Sequence, residues 1–354
     1  MLKWFSRLSR TYRAIANSLV ASVLIGLASP LHAAEGITGL GFLPGGSTSV
    51  AQGISADGNV VVGYNDSVSS IRQAFRWTQP GGMIGLGFLP GGRSSKAHGV
   101  SADGNVVTGY SDYEKGTNHA FRWTQSSGMV NLGVLPGDEV SYAYGISADG
   151  NAVVGYSQNP NRVEQAFRWT QSGSMAGLGV LPGYVNSRAY AVSADGAVVV
   201  GFCENSQGER QAFRWTQSGG MVGLGALSGG KTSAAVGVSA DGDVVVGRSD
   251  SRSGTRAFRW TQSGGMLSLG TLPGSQISRA FAISADATAV VGFSYNGKED
   301  RAFRWTQSGG MTELGFLPGG STNAAYAVSA DGTVVVGTSN DGRDMQAFRW
   351  AGRK

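Results

Sequence analysis

The chain has 354 residues, of which 14% are charged, 57 are glycine and one is cysteine. The low charged fraction argues against a disordered, charge-rich protein. A single cysteine excludes an internal disulfide framework and a thiolate metal cluster. Four of the 28 basic residues lie within residues 1–13, and the rest of the chain carries 24 basic against 23 acidic side chains. This balance leaves no electrostatic footprint for nucleic acid, and we expect no such partner.

The first 34 residues have the composition of a secretory signal peptide. The basic residues of 1–13 precede an apolar stretch at 19–28, and small residues follow at 33 and 34. A membrane anchor is the weaker alternative, because a spanning helix needs ~20 apolar residues. We therefore predict that residues 1–34 are removed on export. The mature chain, residues 35–354, is then secreted or periplasmic and has no membrane span.

The remaining chain is a tandem repeat, which constrains the fold more than any other feature. The motifs SAD and LGxLPG each recur seven times, the latter with Ser228 in place of proline in one copy. The motif FRW recurs at intervals of 45 or 46 residues, beginning at Phe75, Phe121, Phe167, Phe213, Phe258, Phe303 and Phe348. Seven copies of one unit therefore account for nearly all of the mature chain, which forms a single repeated domain.

Each unit contains four short segments of strand composition separated by turn residues. In the third unit they are AYGIS, AVVGY, QAFRWT and MAGLGVL, and Asp149-Gly150 between the first two is a hairpin signal. Four antiparallel strands per unit of about 45 residues are typical of a β-propeller blade. A β-solenoid is the rival, but its coils are usually shorter. We predict an all-β fold, a seven-bladed β-propeller of four-stranded antiparallel blades.

The two ends of the repeat region predict how the ring closes. The segment GITGLGFLPG at 36–45 matches the fourth strand of a unit, whereas the last unit ends after its third strand, at QAFRW. Pairing of residues 36–41 with the strand around Phe348 would complete the seventh blade and remove two raw sheet edges. The ring is thus expected to be closed by the N-terminal strand.

The repeated FRW and SAD residues are best explained as structural. Phe75 and Trp77 alternate with Arg76 along one strand, so the two aromatic rings share a face that can pack between blades. The arginines match the SAD aspartates one to one, which predicts a charge-assisted ion pair within each blade. These pairs are Asp57–Arg76, Asp103–Arg122, Asp149–Arg168, Asp195–Arg214, Asp241–Arg259, Asp286–Arg304 and Asp331–Arg349.

Taken together, the tandem SADG, VVVG and AFRW motifs resemble those of the extracellular HAF-repeat proteins. The triplet that names this family stands here as His119-Ala120-Phe121, and the resemblance spans roughly residues 39–350. It implies a secreted bacterial repeat protein with a β-propeller-like fold. The family supplies no activity, ligand or catalytic residue that could be transferred to this chain.

The connections between strands divide the predicted ring into a constant and a variable face. SADG and TQSGG hardly change among the units, whereas the links between the second and third strands and between blades vary freely. Variable loops and tyrosines collect on the same face, which suits a glycan or protein surface. A purely structural alternative for Tyr144, Tyr190 and Tyr326 is that these side chains pack between blades. The predicted ligand-binding cluster near the channel mouth is Lys96, His98, Tyr142, Tyr184 and Arg188.

Two classes of function remain open from these residues. The first is a non-enzymatic binding or adhesion module for glycan or protein, which we expect to be a monomer without metal or other cofactor. The second is a secreted glycoside hydrolase or lyase, in which two of the scattered acids would converge within the ~5–10 Å that glycoside hydrolysis needs. The sequence assigns no catalytic residue. Cys203 has no histidine near it in sequence and is expected to be a buried, small residue rather than a nucleophile.

Overall fold

The computed structural model describes residues 36–352, and the predicted signal segment 1–34 lies outside them. Twenty-eight strands form seven four-stranded antiparallel sheets, and the predicted seven-bladed propeller is confirmed. A single turn of 3-10 helix covers Glu114–Gly116. No helix within the described range is long and apolar enough to cross a bilayer.

The first four blades follow one another along the chain. Blade 1 contains β2 (Gly46–Ile54), β3 (Val60–Ser67), β4 (Arg72–Thr78) and β5 (Gly82–Gly85). Blade 2 contains β6 (Ser95–Val100), β7 (Val106–Tyr113), β8 (Thr117–Thr124) and β9 (Gly128–Asn131). Blade 3 contains β10 (Val140–Ile146), β11 (Ala152–Gln158), β12 (Glu164–Thr170) and β13 (Met175–Gly177). Blade 4 contains β14 (Asn186–Val192), β15 (Val198–Glu204), β16 (Arg210–Thr216) and β17 (Gly220–Gly223).

The remaining blades include the one that joins the two ends of the chain. Blade 5 contains β18 (Ser233–Val238), β19 (Val244–Ser249), β20 (Arg256–Thr261) and β21 (Gly265–Ser268). Blade 6 contains β22 (Ile277–Ile283), β23 (Ala289–Tyr295), β24 (Asp300–Thr306) and β25 (Gly310–Glu313). Blade 7 contains β26 (Asn323–Val328), β27 (Val334–Asn340), β28 (Met345–Ala351) and β1 (Gly36–Gly39).

The seventh blade closes the ring as the sequence predicts. Strand β1 pairs antiparallel with β28, so that Gly36 lies opposite Ala351 and Gly39 lies opposite Phe348. The blade order β1-β28-β27-β26 places the N-terminal strand at the outer edge. A strand from one end of the chain thus completes a sheet that the other end begins.

The hydrophobic core lies between the blades, because both faces of each small sheet are covered by neighbours. The Phe residue of every FRW motif is fully buried. One cluster, for example, packs Val60 and Ala74 of blade 1 against Leu89 and Phe121 of blade 2. Seven such clusters are found, the last joining blade 7 to blade 1. Packing between blades, predicted for the repeated phenylalanines, is confirmed.

A buried polar side chain on each innermost strand connects neighbouring blades. Ser141 accepts from the backbone N–H of Ala120 in blade 2 and donates to the carbonyl oxygen of Gly133. Six blades use serine here and blade 7 uses Asn323. A buried backbone N–H needs a hydrogen-bond partner. This polar side chain supplies one to the third strand of the preceding blade.

The SAD turns form a second connection around the constant face. The backbone N–H of each SAD alanine donates to the carbonyl of the next one around the ring, from Ala56 to Ala102 and onward, and Ala330 donates back to Ala56 at 3.0 Å. At one junction the donor is instead Asp286, which reaches Ala330 at 3.4 Å. Seven backbone hydrogen bonds therefore encircle this end of the channel.

In six of the seven blades, the described residues do not form the predicted ion pair between the SAD aspartate and the FRW arginine. The Asp149 carboxylate accepts hydrogen bonds from Ser147 Oγ at 2.6 Å and from the backbone N–H of Asn151 at 3.0 Å. Arg168 donates through Nε to the carbonyl of Gly196 in the next blade, at 2.8 Å. Six of the seven arginines join their blade to the following turn in this way, because the carbonyl of that turn lies within hydrogen-bond distance of the guanidinium.

The same geometry recurs around the ring. Within residues 36–352, no ion pair shorter than 4 Å joins Asp57–Arg76, Asp103–Arg122, Asp149–Arg168, Asp195–Arg214, Asp241–Arg259 or Asp331–Arg349. The contact that replaces it joins an arginine to the next turn glycine in Arg76–Gly104, Arg122–Gly150, Arg168–Gly196, Arg214–Gly242, Arg304–Gly332 and Arg349–Gly58.

Candidate functional site

A β-bulge in every innermost strand directs one side chain into the central channel. In blade 3 the register shifts between Ala143 and Gly145, and Tyr144 is the extra residue. The equivalent residues of the seven blades, called here the bulge ring, are Gln52, His98, Tyr144, Tyr190, Val236, Phe281 and Tyr326. All seven line one cavity of about 410 Å³.

Aromatic side chains of the bulge ring contact one another across neighbouring blades. The ring of Tyr144 lies 4.9 Å from that of His98 and 5.0 Å from that of Tyr190, and Phe281 lies 5.3 Å from Tyr326. Burial raises the pKa of Tyr326 to about 12 and that of Tyr144 further, so these hydroxyls stay neutral. The tyrosines of the innermost strands thus contact neighbouring blades, but they do so within the channel.

A second layer of side chains lies nearer the variable loops and forms what we call the channel mouth. It is built from cross-strand pairs between the first and second strands of each blade. These pairs are Val50–Tyr64, Lys96–Tyr110, Tyr142–Tyr156, Arg188–Phe202, Ala234–Arg248, Arg279–Phe293 and Ala324–Thr338. Six of the seven pairs therefore place at least one aromatic or basic side chain at this opening, and only the pair of blade 7, Ala324–Thr338, places neither.

Lys96 and His98, both predicted as site residues, lie together on the blade 2 side. The Lys96 ammonium is 4.9 Å from the ring centre of Tyr64 and 5.6 Å from that of Tyr110. The imidazole of His98 stacks on Tyr110 at 5.5 Å. Burial, together with the Lys96 charge, lowers the pKa of His98 to about 3, and its Nε2 has no hydrogen-bond partner. His98 is therefore neutral at physiological pH.

Tyr142 and Arg188 continue the same surface around the mouth. Tyr142 contacts Tyr110 edge-on at 4.8 Å and stacks on Tyr156 at 4.9 Å. The Arg188 guanidinium lies 4.7 Å from the centre of Tyr156 and pairs through both Nε and Nη2 with the buried Glu164. Burial alone would lower the pKa of Arg188, but the hydrogen bonds to Glu164 raise it. Four of the five predicted residues thus form one continuous surface.

Tyr184 lies elsewhere, which separates it from the predicted cluster. Its backbone N–H donates to the carbonyl of Leu181 at 3.0 Å, so that the link after LPG folds back in a tight turn. Its side chain packs on the cluster that contains Leu181 and Cys203, between blades 3 and 4. Tyr184 is therefore a packing residue of the outer core and contributes nothing to the mouth.

The predicted cluster omitted several residues of the mouth. Phe202, Phe293, Arg248 and Arg279 occupy the positions that other blades fill with tyrosine or lysine. Aligning the seven units would have found the aromatic ones, since the residue directly after VVG or its equivalent is aromatic in five units. The bulge is marked less well, because a glycine follows the bulge residue in only four units.

Three acids near the mouth are held by arginines. Asp66 pairs with Arg72 at 2.5 Å and Glu204 pairs with Arg210 at 2.6 Å, while Glu164 pairs with Arg188 as described. In the part of the chain that the structure describes, no three His, Cys, Asp or Glu side chains come together as metal ligands. The chemistry that the mouth presents is therefore aromatic faces, cations and hydroxyls.

Comparison with known proteins relates this chain to other propellers through structure alone. No family model matches the sequence, and no curated protein matches it. An oligogalacturonate lyase in complex with manganese superposes with a TM-score of 0.63 at 11% identity, over 90% of this chain and 93% of that one.

Two further solved structures have the same overall fold. An oligogalacturonate lyase from Vibrio parahaemolyticus gives a TM-score of 0.62 at 10% identity, covering 90% of this chain and 94% of that one. TolB from Acinetobacter baumannii gives a TM-score of 0.50 at 12% identity, covering 84% and 82%. At such low identity the likeness establishes the propeller fold that this chain shares with them.

Proposed function

We propose that this chain is an exported, non-enzymatic binding propeller of the HAF-repeat type that recognises a glycan at its channel mouth. The N-terminal pattern of basic and apolar residues supports export to the periplasm or the cell exterior. The tandem SADG and AFRW motifs support the family resemblance. The variable loops surround the mouth, where they can differ without disturbing the blades.

The observation that carries this proposal is the continuous stack of aromatic and basic side chains at the mouth. His98, Tyr110, Tyr142 and Tyr156 succeed one another at ring separations of 4.8–5.5 Å across blades 2 and 3. Tyrosine combines an apolar face with a hydroxyl, which suits a ligand with both ring faces and polar groups. The Tyr142 hydroxyl already accepts from Asn118 Nδ2 at 3.2 Å and retains its own proton to donate.

Binding rather than catalysis is favoured by the state of the carboxylates. A hydrolase needs one carboxyl group with a raised pKa beside a second that is ionised. Three acids at the mouth are each engaged by an arginine within 4 Å. Their oxygens are therefore committed to ion pairs of the protein rather than placed to act as an acid and a base on a substrate.

A glycan array probed with the purified protein tests the proposal and supplies a ligand for titration. Tyr142→Ala and Lys96→Ala should each weaken binding of that ligand by about tenfold or more, as expected for central contact residues. Tyr184→Ala is the matched control, because Tyr184 is also a half-buried tyrosine of the variable face but packs away from the mouth. Thermal unfolding of each variant confirms that the fold persists.

Two outcomes would contradict the proposal. Equal loss of affinity in Tyr142→Ala and Tyr184→Ala, at unchanged melting temperature, would move the site away from the mouth. Incubation of the protein with its ligand, followed by chromatography, should return the saccharide intact. Shortened products would replace the binding proposal by the hydrolase or lyase alternative.

A further inference from the structure

Blade 5 interrupts the aromatic surface of the channel mouth. At the second-strand position where five other blades carry tyrosine or phenylalanine, blade 5 carries Arg248, and its cross-strand partner is the small Ala234. Beside these residues lies a cleft of about 160 Å³, lined by three arginines, one acid and small or hydroxyl side chains: Arg210, Arg248, Arg279, Asp250, Thr232, Ser233, Ala234, Ser249 and Thr255. Ala234 and Arg248 also line the channel cavity, so the cleft opens beside it.

Two of these arginines lack the carboxylate partner that the other arginines of the mouth possess. Arg72, Arg188 and Arg210 each pair with an acid within 4 Å, whereas neither Arg248 nor Arg279 does so within the described chain. The Nε–H of Arg279 is buried and has no hydrogen-bond partner. A buried donor without a partner on a cation is costly, and among the arginines of this cleft only Arg279 carries one in the described chain.

The acids nearest to Arg248 and Arg279 form no ion pair with either guanidinium group within the described chain. Asp250 accepts from the Thr232 hydroxyl at 2.7 Å and from the Thr255 hydroxyl at 3.0 Å. Burial raises the pKa of Asp300 even though Arg279 opposes the shift, and no contact within 4 Å joins the two. Burial and the neighbouring Arg279 lower the pKa of Arg248, although Tyr190 and Asp250 oppose the shift, as expected for two like charges that line one cleft.

We propose that Arg248 and Arg279 form an oxyanion subsite, so that the glycan bound at the mouth is an anionic saccharide carrying carboxylate or sulfate groups. This inference rests on the proposed function and narrows its ligand class. Guanidinium groups present paired N–H donors whose spacing matches the oxygens of a carboxylate or sulfate. An anion between the two cations would satisfy the Arg279 Nε and relieve their mutual repulsion.

The size of the cleft and its position favour a charged sugar over an acidic peptide. A volume near 160 Å³ admits an anionic group with part of one ring, since a single water occupies about 30 Å³ of liquid. The adjoining surface offers Tyr190 and the aromatic mouth for the remaining rings. Acidic peptides therefore serve as a comparison ligand rather than the expected one.

Calorimetric titration with matched saccharides tests the subsite. The probes are a hexuronate tetrasaccharide, its uncharged methyl ester, a sulfated neutral tetrasaccharide and a tetraglutamate peptide. Wild-type protein should bind the hexuronate or the sulfated probe about tenfold or more tightly than the methyl ester, as charge-assisted hydrogen bonds predict. Comparison of the hexuronate with the sulfated probe identifies which oxyanion is preferred. The peptide should bind more weakly than both.

Arg248→Gln and Arg279→Gln should each weaken binding of the anionic probes by about tenfold, to an affinity close to that of the same variant for the methyl ester. Arg252→Gln is the matched control, because Arg252 is an exposed arginine on the variable loop of the same blade. Both cleft variants should melt at the wild-type temperature or above it, since each removes one of two repelling cations. Loss of binding in them is then separable from loss of structure.

Several outcomes would overturn the inference. Equal affinity of the wild type for charged and uncharged saccharides, or a preference that survives in Arg279→Gln, contradicts the oxyanion subsite and leaves the proposed glycan-binding function intact. Tighter binding of the peptide contradicts the saccharide class. Absence of binding to every saccharide contradicts the proposed function and the inference together.

Discussion

The hydroxyl of Ser141 accepts a hydrogen bond from the backbone N–H of Ala120, in the preceding blade, at 2.9 Å. The same hydroxyl donates to the carbonyl of Gly133 at 2.6 Å, and the side chain is fully buried. One oxygen atom therefore provides hydrogen bonds to two backbone groups of the preceding blade, one on its third strand and one just after its fourth. Such residues make the junctions between blades polar as well as hydrophobic, and they fix how far each blade can slide along the next.

Ser141→Ala should lower the free energy of unfolding by about 1–3 kcal/mol, because it leaves the N–H of Ala120 buried without a partner. Urea denaturation followed by tryptophan fluorescence measures this loss. Ser126→Ala, on an exposed turn of blade 2, is the control and should change stability by less than about 0.5 kcal/mol. Equal stability of the two variants would show that the bridge contributes nothing.

Cys203→Ser should fold with unchanged or higher stability. Cys203 occupies the position at which five other blades carry serine, and its Sγ accepts from the N–H of Leu181 at 3.4 Å, as Ser157 accepts from Leu135 in blade 3. Burial raises the pKa of the thiol to about 11, so the native protein should resist alkylation at pH 8 and react only after denaturation. Rapid native labelling would contradict this assignment.

Ala287→Gly should stabilise the protein by up to about 1 kcal/mol. Ala287 has a φ of 59°, at a turn position that is glycine in the other six units. The reverse change, Gly150→Ala, should destabilise by about 1–3 kcal/mol, because its Cβ would lie 2.7 Å from Val106 Cγ2 at a φ of +73°. Melting temperatures that move in the same direction for both variants would refute the backbone argument.

Stability should fall in acid through the SAD aspartates. The hydrogen bond from Ser147 and that from the Asn151 backbone lower the pKa of Asp149 below 3.8. A carboxylate with a depressed folded-state pKa contributes stability above its unfolded pKa and loses it as the pH falls through the folded one. Five further aspartates share this direction: Asp57, Asp103, Asp195, Asp241 and Asp331.

Urea midpoints measured between about pH 6 and pH 2 test this dependence. Asp149→Asn should be less stable than the wild type at pH 6, and the difference should shrink toward pH 2. Glu139→Gln, which changes an exposed acid, provides the control. A constant difference between Asp149→Asn and the wild type across this range would show that ionisation of Asp149 makes no contribution.

Double-mutant cycles should place the coupling of Arg168 across the junction between blades 3 and 4. Arg168 lowers the pKa of Asp195, which precedes the glycine whose carbonyl it binds. The coupling between Arg168 and Asp195 should therefore exceed that between Arg168 and Asp149, although both stay below about 1 kcal/mol because the carboxylates are exposed. The opposite order would restore the pairing within one blade.

The propeller architecture could be predicted from the sequence because every blade carries the same short motifs. Repeated turn glycines and the FRW strand specify one blade, and the unmatched strands at residues 36–39 and 345–351 specify how the ring closes. These signals are local. Contacts between blades are not, since Arg168 and Gly196 become neighbours only through the packing of two blades.

The candidate site was accessible only in part, for a similar reason. Lys96 and Tyr142 follow the alternation of a regular strand, so their place at the mouth could be predicted. The bulge that carries Tyr144 inserts one residue into that alternation, and the glycine that follows it, Gly145, is replaced by alanine in three other blades, so composition marks the bulge only in part. Tyr184 lies in a link whose turn reverses its direction, and loop composition does not reveal such a reversal.

The pairing of Gly36 with Ala351 has a consequence for the time course of folding. Residue 36 is synthesised long before residue 351, so the seventh sheet cannot be completed until all seven repeats have been made. Contacts of such long sequence separation form slowly, and an unpaired sheet edge can associate with other chains in the meantime. Folding of this protein should therefore end in a slow step that depends on the strand at residues 36–39, and removing that strand should leave a chain that aggregates even though its other six blades are intact.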